Sequence, residues 1–395
     1  MKKRRILSAF LVVVLAVSLA SCAAPAQTPA APTAPAAPGD QIPDVPGEPI
    51  RIASIVPLTG PQAQNGESLM NSVNLRVRLF NEAGGYNGRP VEITFFDDRQ
   101  DPRETVSVAQ MIVSDGGFIG ILGPFSSASG LAISGIIEEH RIPMYAFSAS
   151  HEDFVAMSEF NMTQTALMPR SRQVEAEHVF ERGIRRAAYI FLNDDTGLVA
   201  NRHFSYHFER LGGEMVLSES FLADQIDYTA LITMAIHAGA ESINSFANYS
   251  QGITLIRQAR ELGFEGPIFF AGNTQQQEVI DVLGEIAERG EGVFFISQFS
   301  PDYPTEGVRQ FVELYSAEYG GRIPAQICYQ AWEATGHFLQ ALTELGPDDP
   351  AALAAFMRNN PAATSVFGTV PYFDGTPHAP LPIVTIRDGQ FVTYA

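Results

Sequence analysis

Two serine-rich segments of the chain each follow a short apolar run that is typical of a β-strand. One spans residues 124–130 and precedes a helical pattern, and the other spans residues 148–150. The free N–H groups and the dipole at the start of a helix attract a carboxylate or carbonyl oxygen, and a serine hydroxyl adds a further donor. Simple N-capping by serine is the alternative. Because two such segments can hold one ligand group from two sides, we predict ligand contacts at Ser127, Ser148, Ala149 and Ser150.

Metal-binding patterns are weak in this chain. His203 and His207 stand four residues apart on a predicted helix, but no third ligand is evident. Asp97, Asp98 and Asp101 offer oxygen ligands for a hard cation such as calcium, and the alternative is that Asp101 caps a helix that begins with proline. We therefore predict no metal site and no cofactor.

Sequence motifs of enzymes are missing. The chain has no G-x-S-x-G elbow, no P-loop and no H-E-x-x-H pair, and Gly117, Gly120 and Gly123 lack the spacing of a dinucleotide-binding loop. We predict that the protein is not an enzyme, although a triad built from distant segments would leave no such motif. The formal charge of -19, from 25 Lys and Arg against 44 Asp and Glu, disfavours nucleic acid as a partner.

The elements that would position these residues alternate between strand and helix. Apolar runs predict strands at 50–56, 91–96, 119–122 and 142–147, with a turn-rich segment at 57–66 and helices between the strands. This order predicts an α/β fold in which helices cover both faces of a doubly wound parallel sheet. In such a fold, ligands bind at the carboxyl ends of the strands.

A second α/β series follows the first. It predicts a second lobe, with strands at 187–192, 214–221, 242–247, 267–271 and 292–297. Amphipathic helices are predicted at 305–319 and 325–345, and the pair Asp388-Gly389 predicts a hairpin near the end.

The first residues of the chain predict export. Basic residues at 2–5 and an apolar stretch at 10–17 are typical of a signal peptide over residues 1–21, and the stretch is short for the alternative of an uncleaved membrane helix. Residues 19–22, Leu-Ala-Ser-Cys, resemble the lipobox of bacterial lipoproteins, which implies lipidation of Cys22. An ordinary secretory signal with an incidental cysteine is the other alternative.

Residues 22–49 are rich in proline and alanine. Such a composition predicts an extended, semi-rigid tether rather than a packed domain. We expect it to hold the folded part away from a membrane.

Four further segments occur in a characteristic order and spacing. They are residues 57–61 (Pro-Leu-Thr-Gly-Pro), 81–89 (Asn-Glu-Ala-Gly-Gly-Tyr-Asn-Gly-Arg), 97–102 (Asp-Asp-Arg-Gln-Asp-Pro) and 256–263 (Ile-Arg-Gln-Ala-Arg-Glu-Leu-Gly). Through them, the chain from residue 51 to about 394 resembles the branched-chain-amino-acid (Leu/Ile/Val-binding) type of ABC transporter substrate-binding protein. This resemblance implies a type I periplasmic-binding-protein fold, in which two lobes joined by three hinge segments close over a small solute. It implies an N-lobe of residues 50–164 plus 297–378 and a C-lobe of residues 165–296 plus 379–395.

The resemblance also implies where the solute binds. It places carboxylate-binding hydroxyls at Ser127 and Ser150. Tyrosines that are usual in the family are replaced here by Asn65 and Thr196, and a third position falls at Asn248 or Tyr249. We predict ligand contacts at all of these positions.

One departure from the family pattern concerns the charge of the solute. The family has an acidic residue that meets the solute's ammonium group after the strand at 267–271, where this chain has Asn273 and Thr274. Because a buried ammonium without a counter-charge is costly, either Asp194 or Asp195 takes over this role or the solute is not a zwitterionic amino acid. We predict contacts from Asn273 and Thr274, which favour an amide, a urea-like compound, a carboxylic acid or another uncharged polar solute.

These features together imply an extracytoplasmic solute receptor of an ABC importer. It would bind a small amino acid, amide or carboxylic acid between its lobes and deliver it to permease subunits. A sensing protein of the same fold, which signals to a receptor without transport, is the alternative. We expect a monomer that is attached by its N-terminal lipid to the outer face of a bacterial membrane, in the periplasm or at the cell surface.

Overall fold

The computed structural model describes residues 47–271 and 277–394. The predicted signal peptide, Cys22 and most of the predicted tether lie outside these residues, as do Asn273 and Thr274. All described residues belong to one compact unit. Within this part of the chain, no helix is both long enough and apolar enough to cross a membrane.

The first sheet consists of five parallel strands, and most of their residues are buried, as is usual when helices cover both faces. The strands are β1 (Ile50–Val56), β2 (Val91–Asp97), β3 (Phe118–Leu122), β4 (Met144–Ala146) and β5 (Asn161–Thr163). Their order in the sheet is β2-β1-β3-β4-β5. The first three helices are α1 (Ala63–Glu82), α2 (Pro102–Asp115) and α3 (Ser127–His140).

The second series of elements begins with α4 and builds the parallel part of a second sheet. Its strands are β6 (Arg186–Leu192), β7 (Glu214–Phe221), β8 (Ser242–Phe246), β9 (Ile268–Ala271) and β10 (Val293–Ile296). Its helices are α4 (Met168–Glu181), α5 (Asp195–Leu211), α6 (Thr229–His237), α7 (Tyr249–Glu261) and α8 (Gln277–Leu283), and a 3₁₀ turn follows at Gly284–Glu288.

After β10 the chain returns to the first sheet and then crosses back. The returning elements are α9 (Glu306–Glu318), α10 (Gln326–Leu345), α11 (Pro350–Arg358) and the short strands β11 (Ala363–Ser365), β12 (Gly368–Val370), β13 (Tyr372–Phe373) and β14 (Thr376–Pro377). The hairpin of β15 (Ile383–Arg387) and β16 (Gln390–Thr393) then extends the second sheet, whose order is β16-β15-β10-β9-β8-β6-β7.

Each sheet has its own hydrophobic core. The first core combines residues of β1 to β5 with residues of α9 to α11, and two further clusters pack on the faces of the second sheet. We call these two parts the first and the second lobe. The chain passes between them at residues 164–167, after Ile296 and before Ile383. This architecture confirms the predicted fold class, while the lobe boundaries given above stay predictions.

One predicted loop is shorter in the structure than the sequence indicated. The segment 57–66 is rich in turn-forming residues, but α1 already begins at Ala63 and includes Gly66. A Cβ atom on Gly66 would lie 2.1 Å from the carbonyl oxygen of Pro57. Glycine is therefore required for the helix to approach the preceding loop, and it does not mark a turn here.

Two local predictions are confirmed. The Asp101 carboxylate accepts the backbone N–H of Arg103 at 2.8 Å and caps α2, with Pro102 at its first position. Asp388 and Gly389 join β15 to β16 with positive φ angles of 50° and 67°. Positive angles at both central residues are what a tight hairpin turn needs.

Candidate ligand-binding cleft

Segments that follow strands of both sheets border one cleft of about 270 Å³. The first lobe contributes residues after β3 and β4, and the second lobe contributes residues after β6 and β8. The volume is below the usual range for drug-sized ligands, so the cleft suits one small solute. Among the described residues, five of the predicted contacts line it: Ser127, Ser148, Ser150, Thr196 and Asn248.

Ser127 joins the two serine segments of the first lobe. Its hydroxyl oxygen accepts the backbone N–H of Ser150 at 3.1 Å and that of His151 at 3.2 Å. Since both lone pairs of the oxygen are engaged, the hydroxyl presents its own proton to a ligand. A carboxylate or carbonyl oxygen is the group that accepts such a proton.

N-capping by serine was the alternative to ligand binding for this segment, and Ser126 is the residue that provides it. It is the N-cap of α3, and its hydroxyl accepts the backbone N–H of Ser129 at 3.3 Å. Ser126 also lines the cleft, so capping and exposure to a ligand occur together at this helix start.

The loop after β4 is tied to two other parts of the molecule. Gln330 of α10 donates to the hydroxyl of Ser148 at 3.4 Å. The carbonyl oxygen of Ser150 accepts the backbone N–H of Met168, the first residue of α4, at 2.9 Å. The predicted hydroxyls of this loop are therefore held in place from both lobes.

Gln100 also lines the cleft, although no sequence pattern marked it as a contact residue. Arg99 and Gln100 have positive φ angles of 53° and 57°, an uncommon backbone conformation for residues other than glycine. The Asp98 carboxylate supports this loop by accepting the backbone N–H of Gln100 at 3.0 Å and the hydroxyls of Thr105 and Ser129 at 2.9 and 3.2 Å.

The acidic residues of this loop bind protein donors. Asp97 accepts the backbone N–H groups of Leu58 and Thr59 at 2.9 and 3.3 Å. In the described residues, no group of three or more His, Cys, Asp or Glu side chains is arranged to hold a metal ion.

The second lobe contributes Asp194 and Thr196 from the start of α5. Asp194 is the N-cap, and its Oδ1 accepts the backbone N–H of Gly197 at 2.7 Å. Asp194 is exposed at the cleft, and partial desolvation there, followed by the charge of Asp195, raises its pKa, although backbone N–H groups oppose this. Of the two candidate acids, Asp194 lines the cleft and Asp195 is not among its lining residues.

Asn248 occupies the equivalent position at the start of α7. It is the N-cap of that helix, and its backbone N–H donates to the side chain of Gln251 at 3.1 Å. The polar groups of the second lobe thus stand at helix starts, as do those of the first lobe.

Three predicted contacts within the described part of the chain do not reach the cleft lining. Asn65 is only 1% exposed in α1, and its amide donates to Gln62 at 2.6 Å, because the helix begins before the position where a loop was expected. Ala149 is fully buried between the two lining serines. Tyr249 packs partly buried against the core of the second lobe. Asn273 and Thr274 lie outside the described residues.

Gln298 and Gln326, near the segments that connect the lobes, also line the cleft. Gln298 accepts the backbone N–H of Ala166 at 3.2 Å and donates to the hydroxyl of Thr165. Its own backbone N–H donates to the side chain of Gln326 at 2.9 Å. These bonds fasten two of the three connecting segments to each other and to α10.

Apolar side chains complete the lining. All of them except the exposed Ala128 are buried or half-buried, and because such groups exclude water, they strengthen the polar contacts that a solute makes. These residues are Phe125, Ala128, Ala166, Met168, Leu192, Phe246, Ala247, Ile296 and Leu381.

Arg172 and Asp194 are the charged side chains among the described lining residues. Arg172 was missed from the sequence because an arginine in an amphipathic helix usually faces solvent. Its position offered a signal, however, since it lies on the same helical stripe as the buried Met168, Ala176 and Val179.

Ionic contacts also join the lobes outside the cleft lining. Glu152, two residues after Ser150, pairs with both Arg202 and His203 of α5. Its Oε2 lies 2.7 Å from Nε2 of His203. Hence His203, one of the two histidines considered for a metal site, contacts a carboxylate of the first lobe.

A family model described as periplasmic binding protein matches residues 49–390. The chain belongs to the periplasmic binding protein family. It is of the branched-chain-amino-acid type, as the resemblance in sequence predicted, and proteins of this family are solute receptors of ABC transporters rather than enzymes. The family is extracytoplasmic.

The chain is also similar to a relative in sequence and to two solved proteins in fold. It is 23% identical over 329 residues to a Leu/Ile/Val-binding protein homolog 1 of Brucella abortus, covering 82% of this chain and 86% of the relative. A branched-chain amino acid transporter substrate-binding protein of Streptococcus pneumoniae, solved with isoleucine, has a TM-score of 0.78 at 20% identity, covering 88% of this chain and all (100%) of that chain. An ABC transporter solute-binding protein of R. palustris, solved with benzoate, has a TM-score of 0.80 at 16% identity, covering 88% and 96%.

Proposed function

We propose that this protein is the extracytoplasmic receptor of an ABC importer and that it binds one small polar solute through a carboxylate or amide group. The observation that carries the proposal is the Ser127 hydroxyl. It accepts two backbone N–H groups and so has a proton to donate into the cleft. Such a donor matches an acceptor oxygen of the solute.

Closure of the lobes over the solute is supported by contacts that join them. Glu152 pairs with Arg202 and His203, and Gln64 of α1 donates to Glu278 of α8. A solute that touches both walls stabilises the form in which these contacts exist. A permease recognises that closed form and accepts the solute from it.

The amide-rich polar lining and the two kinds of similar structure define the solutes to test. Isoleucine and benzoate were found in proteins of the same fold. A thermal-shift screen of the full chain with isoleucine, leucine, benzoate, isobutyrate and the corresponding amides tests the solute class. A solute present at a hundred times its Kd raises the stability by about 2.7 kcal/mol. If none of these compounds raises the melting temperature, the proposed solute class is wrong.

Delivery to a permease has its own test. Deletion of the gene abolishes uptake of the radiolabelled solute, and expression of the full chain restores it. If uptake is unchanged while a signalling response to the solute disappears, the protein is a sensor and not a transport receptor.

We further propose that Cys22 carries a lipid that anchors the mature chain. The proposal rests on the Leu-Ala-Ser-Cys pattern at residues 19–22. Cys22→Ala then moves the protein from the membrane fraction to the soluble fraction without changing solute affinity. Membrane association that persists in this variant contradicts the anchor.

A further inference from the structure

The buried stripe of α4 contains a pair of charged residues. Arg172 is 2% exposed and Glu175 is 0% exposed, and NH1 of Arg172 donates to Oε2 of Glu175. Buried ion pairs offset their desolvation cost only when further hydrogen bonds satisfy the remaining donors and acceptors. The contacts around the two side chains therefore decide whether this pair is complete.

Each member of the pair has one polar atom that lacks a hydrogen-bond partner. Nε of Arg172 and Oε1 of Glu175 are buried and have no hydrogen-bond partner among the described residues. An unsatisfied buried donor or acceptor costs about 1–3 kcal/mol, and more when the group is charged. The hydroxyl of Tyr189, which is also buried without a hydrogen-bond partner, interacts electrostatically with Arg172. Since Arg172 lines the cleft, a ligand oxygen there is also within reach of its guanidinium.

We propose that Arg172 is a specificity-determining residue that binds a carboxylate of the solute, and that Glu175 takes up one proton when this carboxylate arrives. The inference rests on the proposed function and narrows its solute class to organic acids. The solute's carboxylate competes with Glu175 for the N–H groups of Arg172. Glu175 then loses part of its counter-charge in a buried site and binds a proton from the solvent, so that one anion and one proton bind together.

The surroundings of Glu175 support this exchange. Burial raises the pKa of Glu175 to about 7, against the opposing charge of Arg172, so the side chain is already close to protonation at neutral pH. His178 on the same helix is neutral there, because burial and the charge of Arg182 lower its pKa to about 4.

Among the described residues, Arg172 is the charged group that acts on Glu175, while Asp194 adds a negative charge to the cleft that opposes an anionic solute. Tyr189 of β6 stays neutral, because burial and the charge of Glu175 raise the pKa of its phenol far above pH 7. The side chains that α5 and β10 contribute to the same cluster are Phe204, Phe208 and Phe294.

The pH dependence has a definite sign. A protonated Glu175 leaves Arg172 free for the solute, and this condition holds below pH 7 and is lost as the pH rises through 7. Affinity for a carboxylate solute is therefore expected to fall by about tenfold for each pH unit above the pKa of Glu175, while affinity for a neutral amide stays constant.

The test uses matched acids and amides on the full chain, namely benzoate with benzamide and isobutyrate with isobutyramide, together with isoleucine. Titration calorimetry at pH 6 and pH 8 gives the affinities. The titrations are repeated in phosphate and in Tris, which differ in heat of ionisation. The difference between the binding heats in the two buffers gives the number of protons taken up. We expect the acids to bind at least tenfold more tightly than the amides at pH 6, with up to one proton taken up at pH 8.

The variants separate the roles of the two residues. Arg172→Gln is expected to weaken acid binding at least tenfold and to change amide binding less than twofold. Glu175→Gln is expected to remove the proton uptake and to keep the pH 6 affinity at pH 8. Should Arg172→Gln fail to fold because Glu175 is left unpaired, the double variant Arg172→Gln/Glu175→Gln removes both charges and makes the same comparison. Arg210→Gln, at the end of α5, is the control for loss of one positive charge in the same lobe.

Each possible outcome is decisive. If an amide binds as tightly as its acid, or if the Arg172 variants keep the wild-type acid affinity, the inference is wrong while the proposed function stands. The same holds if isoleucine or an amide binds and no simple acid does. If nothing in the panel binds to the wild type, both the inference and the proposed solute class fail.

Discussion

Glu152 and His203 lie 51 residues apart in the chain, and their side chains are 2.7 Å apart, joining the first lobe to the second. Arg202 pairs with the same carboxylate. Although partial burial acts to raise the pKa of Glu152, the hydrogen bond from His203 and the charge of Arg202 outweigh it and lower the pKa. The carboxylate is therefore ionised where the lobes meet.

Glu152→Gln is expected to weaken solute binding by about twofold to fivefold, because partly exposed ion pairs contribute up to about 1 kcal/mol to the closed form. Titration calorimetry at pH 7 measures the change, and Glu139→Gln on the exposed face of α3 is the control. In the wild type, this contribution is present above the ordinary carboxyl range and is lost as the pH falls through the lowered pKa of Glu152. An unchanged affinity in the variant would mean that the pair does not favour closure.

Ser127→Ala removes a hydroxyl that serves both the fold and the solute. We expect binding of a carboxylate or amide solute to weaken by about tenfold to a hundredfold, and the free energy of unfolding to fall by about 1–3 kcal/mol, because two backbone N–H groups lose their acceptor. Ser107→Ala in α2, where the hydroxyl donates to the carbonyl of Arg103 at 3.2 Å, is the matched control. Wild-type affinity in a destabilised Ser127→Ala protein would assign Ser127 a purely structural role.

Asp194→Asn keeps a good N-cap residue at α5 but removes a negative charge from the cleft. Binding of an anionic solute such as benzoate is expected to strengthen by about threefold, because a like charge has been removed. Binding of isoleucine is expected to weaken if it occurs in the wild type, since Asp194 is the acid available to its ammonium group. Competition titrations with both ligands measure the two effects. A weaker affinity for benzoate would contradict the electrostatic role.

His337 gives the protein an acid-sensitive stability. It is 1% exposed in α10, its Nδ1 lies 3.1 Å from the hydroxyl of Tyr145, and its Nε2 lies 3.1 Å from the amide of Asn360. Burial lowers the pKa of His337 to about 3, so the unfolded chain binds a proton that the folded chain does not.

The resulting stabilisation is fully present above the unfolded pKa of 6.5 and is lost progressively as the pH falls toward 3. At pH 4.5 the free energy of unfolding is lower by about 3 kcal/mol than at pH 7 because of this residue alone. His337→Gln is expected to be less stable than the wild type at pH 7 and to approach it at pH 4.5. Urea unfolding at both pH values checks this, and a difference that grows on acidification would refute it.

Much of the fold could be predicted because parallel strands buried on both faces leave continuous apolar runs in the sequence. The serines after β3 and β4 were predictable for a related reason, since residues that follow neighbouring parallel strands meet at one edge of the sheet. Ser127 and Ser150 are 23 residues apart in the chain and within hydrogen-bond distance in the structure.

Other features required three-dimensional information. Gly66 indicated a turn, but its lack of a side chain instead allows α1 to begin early, and this removes Asn65 from the cleft. Arg172 follows a helical pattern that fits either a solvated or a buried face, and only the packing of α4 shows which one. The roles of Asn273 and Thr274 stay predictions.

Gln298 restricts how the two lobes can move. Its side chain binds the first connecting segment at Thr165 and Ala166, while its backbone belongs to the second segment. Two covalent links that are hydrogen-bonded to each other suppress independent twisting and sliding, so the expected motion is rotation about one axis. We therefore expect replacement of this amide to change the torsional stiffness between the lobes and how widely they swing, while the polar groups at the cleft's helix starts keep their positions.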